Sequence, residues 1–272
     1  MNDINNNGDC RPIGIFDSGV GGLSIAKAIA NKLPNENLIY VADTLHSPYG
    51  NKSIDFIQSR VNDISMLLFA QSAKALVVAC NTATVNAIDQ LRKSINIPII
   101  GVEPAIKPAA KQSITKNIGI LVTQATAENY RFQRLVELHK NDVQVHIQAC
   151  PGLVELIEKN KLHTQECELL LTQFLTTLLS KNVDTLVLGC THYPFLIEKI
   201  QGIVGTTVTI VETAIPVTLQ LQRTLTEQNS LNLSQTPGDY CFLSSQVNPQ
   251  QQQLFSDLWL QPLKLKSLVN LE

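Results

Sequence analysis

The sequence predicts an α/β fold of two similar, doubly wound parallel-sheet domains, with an active site in the cleft between them. Three observations carry this. Apolar runs of strand length alternate with helix-period segments along most of the chain, the pattern of parallel strands joined by crossover helices. The pattern then restarts, since Ile118 to Val122 (IGILV) echoes Ile13 to Phe16 (IGIF) 105 residues later. Each half also contains an apolar run that ends in a cysteine, at Val77 to Thr84 (VVACNTAT) and Val187 to Pro194 (VLGCTHYP), with Cys80 and Cys190 110 residues apart. A duplicated fold supplies a pseudo-twofold axis that brings two strand-end thiols face to face, in a cleft of the kind that holds small molecules.

In chain order, Ile13 to Asp17 reads as the first strand, and Gly19, Gly21 and Gly22 turn the chain into a helix from Leu23 to Leu33. Leu38 to Ala42 is a second strand ending at Asp43. The loop Asp43 to Gly50 (DTLHSPYG) holds Pro48 and Gly50 and reads as a structured turn. A helix from about Ser53 to Ala73 leads to the strand Ala75 to Ala79 and to Cys80. Val85, Ile88 and Leu91 mark the next helix, and Pro98 to Val102 is a fourth strand. Pro104 and Pro108 mark the crossing into the second half, which opens with Ile118 to Val122 and includes a helical run from Glu166 to Leu175. After the strand Thr207 to Val211, Pro216 opens a helix, and Tyr240 to Ser244 and Gln250 to Leu260 return to the first domain. The expected domains are 11–104 with 213–272, and 105–212.

With 272 residues, 44% of them apolar, the chain can bury two modest cores. A net charge of -2 offers no electrostatic footprint for nucleic acid or an anionic membrane surface, which favours small-molecule chemistry. No apolar run approaches the roughly 20 residues that span a bilayer, and the polar start MNDINNNGDCRP lacks the apolar centre of a signal peptide. The protein is therefore expected in the cytosol. Asn5 to Asn7 and Gln250 to Gln253 are the only biased stretches. Six cysteines without a C-x-x-C pair argue for reduced thiols. Cys10 falls in a mobile tail, Cys167 in a helical run and Cys241 at a strand start; with Cys150 they read as structural. The five histidines are scattered and none lies at a structural zinc spacing from a cysteine, so no metal is expected.

Cys80 and Cys190 lie where open α/β sheets bind ligands, at the carboxyl ends of parallel strands. The helix expected after each should lower its thiol pKa through unpaired N–H groups and the macrodipole. Asp17 follows the first strand and can reach the pocket, with Gly19 and Gly21 leaving room for substrate. Asn81, Thr82 and Thr191 offer donors to a carboxylate at a helix N-terminus, a position where they would also serve as plain caps. His192, two residues past Cys190, is the histidine placed to act. Two opposed thiols are what a cofactor-free racemisation requires. One thiolate removes the α-proton, the other thiol protonates the opposite face, and the roles swap when the direction reverses. The carbanionic transition state then needs donors in a closed, water-poor cleft. A dinucleotide loop is the competing motif. Gly19-Val20-Gly21-Gly22-Leu23-Ser24 supplies two of its glycines but has Ser24 in place of the third, and Asp43 stands where a ribose-binding acid would. Nucleotide binding leaves both cysteines unexplained.

Phe16 to Leu23 (FDSGVGGL), Pro48-Tyr49-Gly50, Ala79 to Ala83 (ACNTA) and Gly189 to Pro194 (GCTHYP) resemble, in order, the four signature motifs of the bacterial glutamate racemases. Gly101 to Ala109 (GVEPAIKPA) is similar to that family as well. The resemblance implies a cofactor-independent enzyme that interconverts L- and D-glutamate, with D-glutamate going to peptidoglycan. It makes Cys80 and Cys190 the acid/base thiols, with Asp17 assisting Cys80 and His192 assisting Cys190. Substrate contacts would come from Asp17, Ser18, Tyr49, Gly50, Asn81, Thr82, Thr191 and His192. It also implies an assisting glutamate in Val154 to Glu158 (VELIE), Glu158 in preference to Glu155, and a homodimer. The sequence departs from the family at Val122 to Thr126 (VTQAT), where a glycine is expected at Ala125, which leaves the roles of Thr123 and Thr126 open. The polar N-terminal extension resembles that of longer members, some of which respond to a cell-wall precursor.

Three alternatives stand beside this. An aspartate racemase would use the same α-carbon chemistry in a shorter pocket, and one methylene is worth only about 1–3 kcal/mol of discrimination. A non-catalytic amino-acid sensor could share the bilobal fold, though Asp17 and His192 beside two thiols exceed what binding needs. A pyridoxal-phosphate racemase requires a Schiff-base lysine and a phosphate cradle, and neither Lys107 nor Lys111 sits at a strand end beside a Gly-rich loop.

Overall fold

The computed structural model describes residues 8–268. The Asn5 to Asn7 run and the last four residues of the expected first domain lie outside them. The first run of elements is β1 (Ile13–Asp17), α1 (Leu23–Lys32), β2 (Leu38–Ala42), α2 (Ile54–Ala70), β3 (Ala75–Val78), α3 (Asn81–Ser94) and β4 (Ile99–Gly101). A short helix, α4 (Ile106–Gln112), leads to β5 (Asn117–Val122), α5 (Gln124–Glu128), α6 (Tyr130–His139), β6 (Gln144–Ala149), α7 (Leu153–Glu158), α8 (Gln165–Leu179), β7 (Thr185–Leu188), α9 (Ile197–Val204) and β8 (Thr209–Val211). The chain closes with α10 (Ala214–Glu227), β9 (Tyr240–Ser244), α11 (Pro249–Trp259) and β10 (Leu265–Ser267).

Two parallel sheets result, with strand orders β10-β9-β2-β1-β3-β4 and β6-β5-β7-β8. The second order repeats the β2-β1-β3-β4 part of the first, so the duplication visible in the sequence is a duplication of topology. In each sheet the chain leaves the first strand of its repeat in one direction and later crosses to the other side. That switch point opens a crevice at the carboxyl ends of β1 and β3, and of β5 and β7. Phe16 pairs with Val78 and Leu121 with Leu188, so Cys80 and Cys190 each stand two residues beyond equivalent register positions. β9 pairs with β2, and α10 and α11 pack on α1, so the stretch from Ala214 onward extends the first sheet.

The inner strands β1, β3 and β7 are buried along their whole length, as their continuous apolar runs require when helices cover both faces. A single apolar cluster includes Ile15 and Tyr40 of the first sheet, Leu121 and Leu153 of the second half, and Tyr193 and Leu225. The two sheets are thus joined through packed side chains as well as through the chain. Among the described residues, no helix is long and apolar enough to cross a membrane.

The segment carrying Cys10 is tied down, contrary to the mobile tail expected from its polarity. Asp9 N–H donates to Leu231 O at 3.1 Å, Asn37 Nδ2 to Cys10 O at 2.8 Å, and the buried Lys74 Nζ to Asp9 O at 2.6 Å. Backbone hydrogen bonds, invisible to composition, hold it.

Candidate active site

Cys80 follows β3 and caps α3. Its backbone is extended, and its Sγ accepts from the N–H of Ala83 at 3.5 Å. The Ser18 hydroxyl lies between this sulfur, at 3.7 Å, and Asp17 Oδ1, at 3.3 Å. Asp17 therefore reaches Cys80 through Ser18. Its Oδ1 also accepts from Gly19 N–H at 2.7 Å, and its Oδ2 from the Thr191 hydroxyl of the other half at 2.9 Å. The cap was expected to lower the thiol pKa, and the opposite holds. Burial, reinforced by the negative charge of Asp17, pushes Cys80 up to about 12 against the N–H of Ala83 and the Ser18 hydroxyl. Desolvation outweighs a single dipole end when the thiol is only 5% exposed. Burial likewise raises Asp17 above the ordinary carboxylate range, opposed by the His192 charge and its own donors.

The second thiol is built differently. β7 ends at Leu188 and Cys190 turns into a short 3₁₀ segment, Tyr193–Leu196, so the α-helix begins only at Ile197. The expected α-helix N-terminus is therefore absent at Cys190. His192 takes its place. Its Nδ1 lies 3.8 Å from Cys190 Sγ and its Nε2 2.7 Å from Glu158 Oε1. Burial alone would lower the imidazole pKa, but the hydrogen bonds to Cys190 and Glu158 hold it well above its ordinary value. Glu158, rather than Glu155, is the carboxylate brought to His192. Its Oε1 further accepts from Val20 N–H at 2.9 Å and the Ser47 hydroxyl at 3.2 Å, while its buried Oε2 has no partner.

Gly19 and Gly21 were read as making room for substrate, but they make room for the other half of the molecule. A Cβ on Gly19 would meet Glu158 Oε1 at 1.7 Å, and one on Gly21 would meet His192 Nδ1 at 2.3 Å. A side chain at either position would push Glu158 or His192 out of place.

The other sequence-derived residues fall around the two thiols. Asn81 Nδ2 donates to Val102 O at 3.3 Å, and its buried Oδ1 is unpartnered. The Thr82 hydroxyl reaches across to Thr123 Oγ1 at 3.0 Å and Thr126 Oγ1 at 3.4 Å, so the two threonines left open by the sequence join the halves. Gly50 faces Thr123, 3.3 Å from the site of an added Cβ. The Tyr49 hydroxyl is committed to Asp43 Oδ2 at 2.7 Å. Asp43 also accepts from Arg60 Nε at 2.9 Å and Nη2 at 3.0 Å, and pairs with His46 Nδ1 at 2.9 Å. With both oxygens engaged, it is not available to a ribose, which removes the support for a dinucleotide loop. Ser47 and Arg60 escaped the sequence analysis; the only signal was their place in, or one helix away from, the DTLHSPYG loop. Among the described residues, no group of three His, Cys, Asp or Glu side chains is gathered as metal ligands would be.

The repeated topology and paired strand-end thiols agree with a sequence match over residues 23–216 to the Asp/Glu/hydantoin racemase family. The chain belongs to that family. It is an amino-acid racemase, and its similarity to members of known name extends over nearly the whole chain. A glutamate racemase of Herpetosiphon aurantiacus is 44% identical over 235 residues, 86% of this chain and 92% of that protein. The crystal structure of a glutamate racemase isoform of Bacillus anthracis superposes with a TM-score of 0.86 at 32% identity, covering 94% of this chain and 97% of that one. The Escherichia coli glutamate racemase, solved with L-glutamate and the activator UDP-MurNAc-ala, superposes with a TM-score of 0.84 at 30% identity, covering 94% and 97%.

Proposed function

We propose that this racemase interconverts L- and D-glutamate without a cofactor, by a two-thiol acid/base mechanism, and supplies D-glutamate for peptidoglycan synthesis in the cytosol. The observation that carries the mechanism is the placement of Cys80 and Cys190 beyond equivalent strands of the repeated sheets, each buried and each with a different polar partner. The substrate follows from the names of the relatives. The site divides between domains 11–104 with 213–272 and 105–212, with Asp17, Ser18, Tyr49, Gly50, Asn81, Thr82, Thr191 and His192 around the substrate and Glu158 behind His192.

In the substrate-free site Cys80 is a protonated thiol. An α-ammonium group brings positive charge next to it and to Asp17, which favours the thiolate that abstracts a proton. On the opposite face the His192 imidazolium, held charged by Glu158, supports proton delivery by Cys190. For the reverse direction the two thiols exchange roles. The unpartnered Asn81 Oδ1 and the threonine hydroxyls are polar groups available to hold substrate. The motif resemblance further implies a homodimer, and the activator bound in the Escherichia coli structure makes a cell-wall precursor a candidate activator here.

The test is to incubate the protein with L-glutamate in deuterated water, following circular dichroism and α-deuterium incorporation. Decay of the signal to zero with deuterium at the α-carbon is the expected result. Exchange of aspartate instead would reassign the substrate, and silence with both would favour a binding protein.

A further inference from the structure

We propose that Ser47 is a positioning residue for the Cys190 side of the reaction, an inference that rests on the two-thiol mechanism above. Glu158 is the anchor of His192, and all three donors it receives converge on one oxygen: His192 Nε2 at 2.7 Å, Val20 N–H at 2.9 Å and Ser47 Oγ at 3.2 Å. Glu158 and His192 belong to the second half of the chain, whereas Val20 and Ser47 belong to the first. The carboxylate is therefore fixed only when the halves are together, and among the described residues Ser47 is the one side chain outside its own half that fixes it.

The loop that carries Ser47 is itself held rigidly. Asp43, fully buried, receives the Arg60 guanidinium through two bonds, the Tyr49 hydroxyl and the His46 ring. These contacts lie on both sides of Ser47 in sequence. The Asp43 backbone N–H also donates to Asp17 O at 3.0 Å, which ties the loop to the strand end that serves Cys80. Gly19 completes the fit, since the site of its absent Cβ is 2.8 Å from Ser47 Oγ. Ser47 sets the orientation of Glu158, and through it the His192 ring against Cys190; it touches neither thiol.

Enantiomers have equal free energy, so kcat/KM must be the same in both directions and a rate alone does not say which thiol has been slowed. Primary isotope effects do. If the transition state at Cys190 is raised, removal of α-deuterium from the enantiomer that faces Cys190 becomes more rate-limiting, and removal from the other becomes less so. The experiment measures kcat/KM and its deuterium isotope effect with α-deuterated L- and D-glutamate, for the wild type, Ser47→Ala and Ser47→Thr. Because Ser47 acts through Glu158 and His192, only part of the worth of its hydrogen bond reaches the transition state, and Ser47→Ala is expected to lower kcat/KM roughly threefold to tenfold, with isotope effects moving in opposite directions for the two enantiomers, and Ser47→Thr restoring both. Isotope effects in Ser47→Ala that stay fixed or move together overturn the role of Ser47 alone. A wild-type protein inert toward both glutamate and aspartate overturns the two-thiol reading and Ser47 with it.

Discussion

The two thiols show how one residue type takes on two characters. Cys80 sits at a helix cap, which by itself favours a thiolate, yet burial and Asp17 overrule the cap and hold it near 12. Cys190 has no helix cap and instead has an imidazolium. The sequence identified both cysteines and His192 because their polar neighbours end apolar strands. It did not give the sign of the Cys80 shift, which depends on residues brought in from Asp17 and from the second half. The consequence is measurable in the substrate-free protein. A thiol with a pKa of about 12 has a thiolate fraction at pH 8 roughly a thousandfold below that of an ordinary thiol. Iodoacetamide at pH 8 should therefore leave Cys80 unmodified, as read by peptide mass spectrometry, on a timescale that consumes a free model thiol. Rapid alkylation of Cys80 would show that the cap prevails.

At the scale of elements, strands and helices were legible because period-2 and period-3.6 apolar patterns are local. Where an element was legible mainly its ends moved, as with β3, which stops at Val78, and α2, which stops at Ala70; β6, β10 and the short helices α5 to α7 were not legible, and no α-helix starts at Cys190. The DTLHSPYG loop was legible as a turn but not as a platform, since its anchor, Arg60, lies on α2. Here the buried carboxylate of Asp43 decides the energetics. Burial would raise its pKa, but bonds from Arg60, His46 and Tyr49 hold it below the ordinary 3.8. A lowered folded pKa contributes stability that is complete above 3.8 and is lost as pH falls through the folded value. Arg60→Met removes the charge partner and leaves Asp43 buried. A loss of about 3 kcal/mol at neutral pH is expected in urea unfolding, shrinking as the pH falls below 4. A variant as stable as the wild type at pH 7 would mean that the hydroxyl and imidazole donors suffice.

Over the whole molecule, ion pairs join distant segments with very unequal effect. Lys74, buried just before β3, pairs with Glu36 at 2.6 Å and donates to Asp9 O and Ser230 O, gathering three distant stretches of chain. Arg131 spans the halves to Asp89 and Glu103, but both carboxylates are exposed, Asp89 at 68%, and Arg131 itself is only partly covered. Lys74→Met is expected to cost about 3–5 kcal/mol by stranding Glu36, and Arg131→Ala less than about 1 kcal/mol, a difference that 0.5 M salt removes. Equal losses in urea titrations would contradict this ranking. The sequence by itself determined the α/β class, the repeat, the strand-end thiols and the family motifs, because each is written in contiguous residues. Tertiary structure decided which carboxylate meets His192, what Gly19 and Gly21 accommodate, and the charge state of Cys80. Those depend on side chains separated by tens of residues to well over a hundred and on exclusion of water, which exist only once the two sheets close on each other.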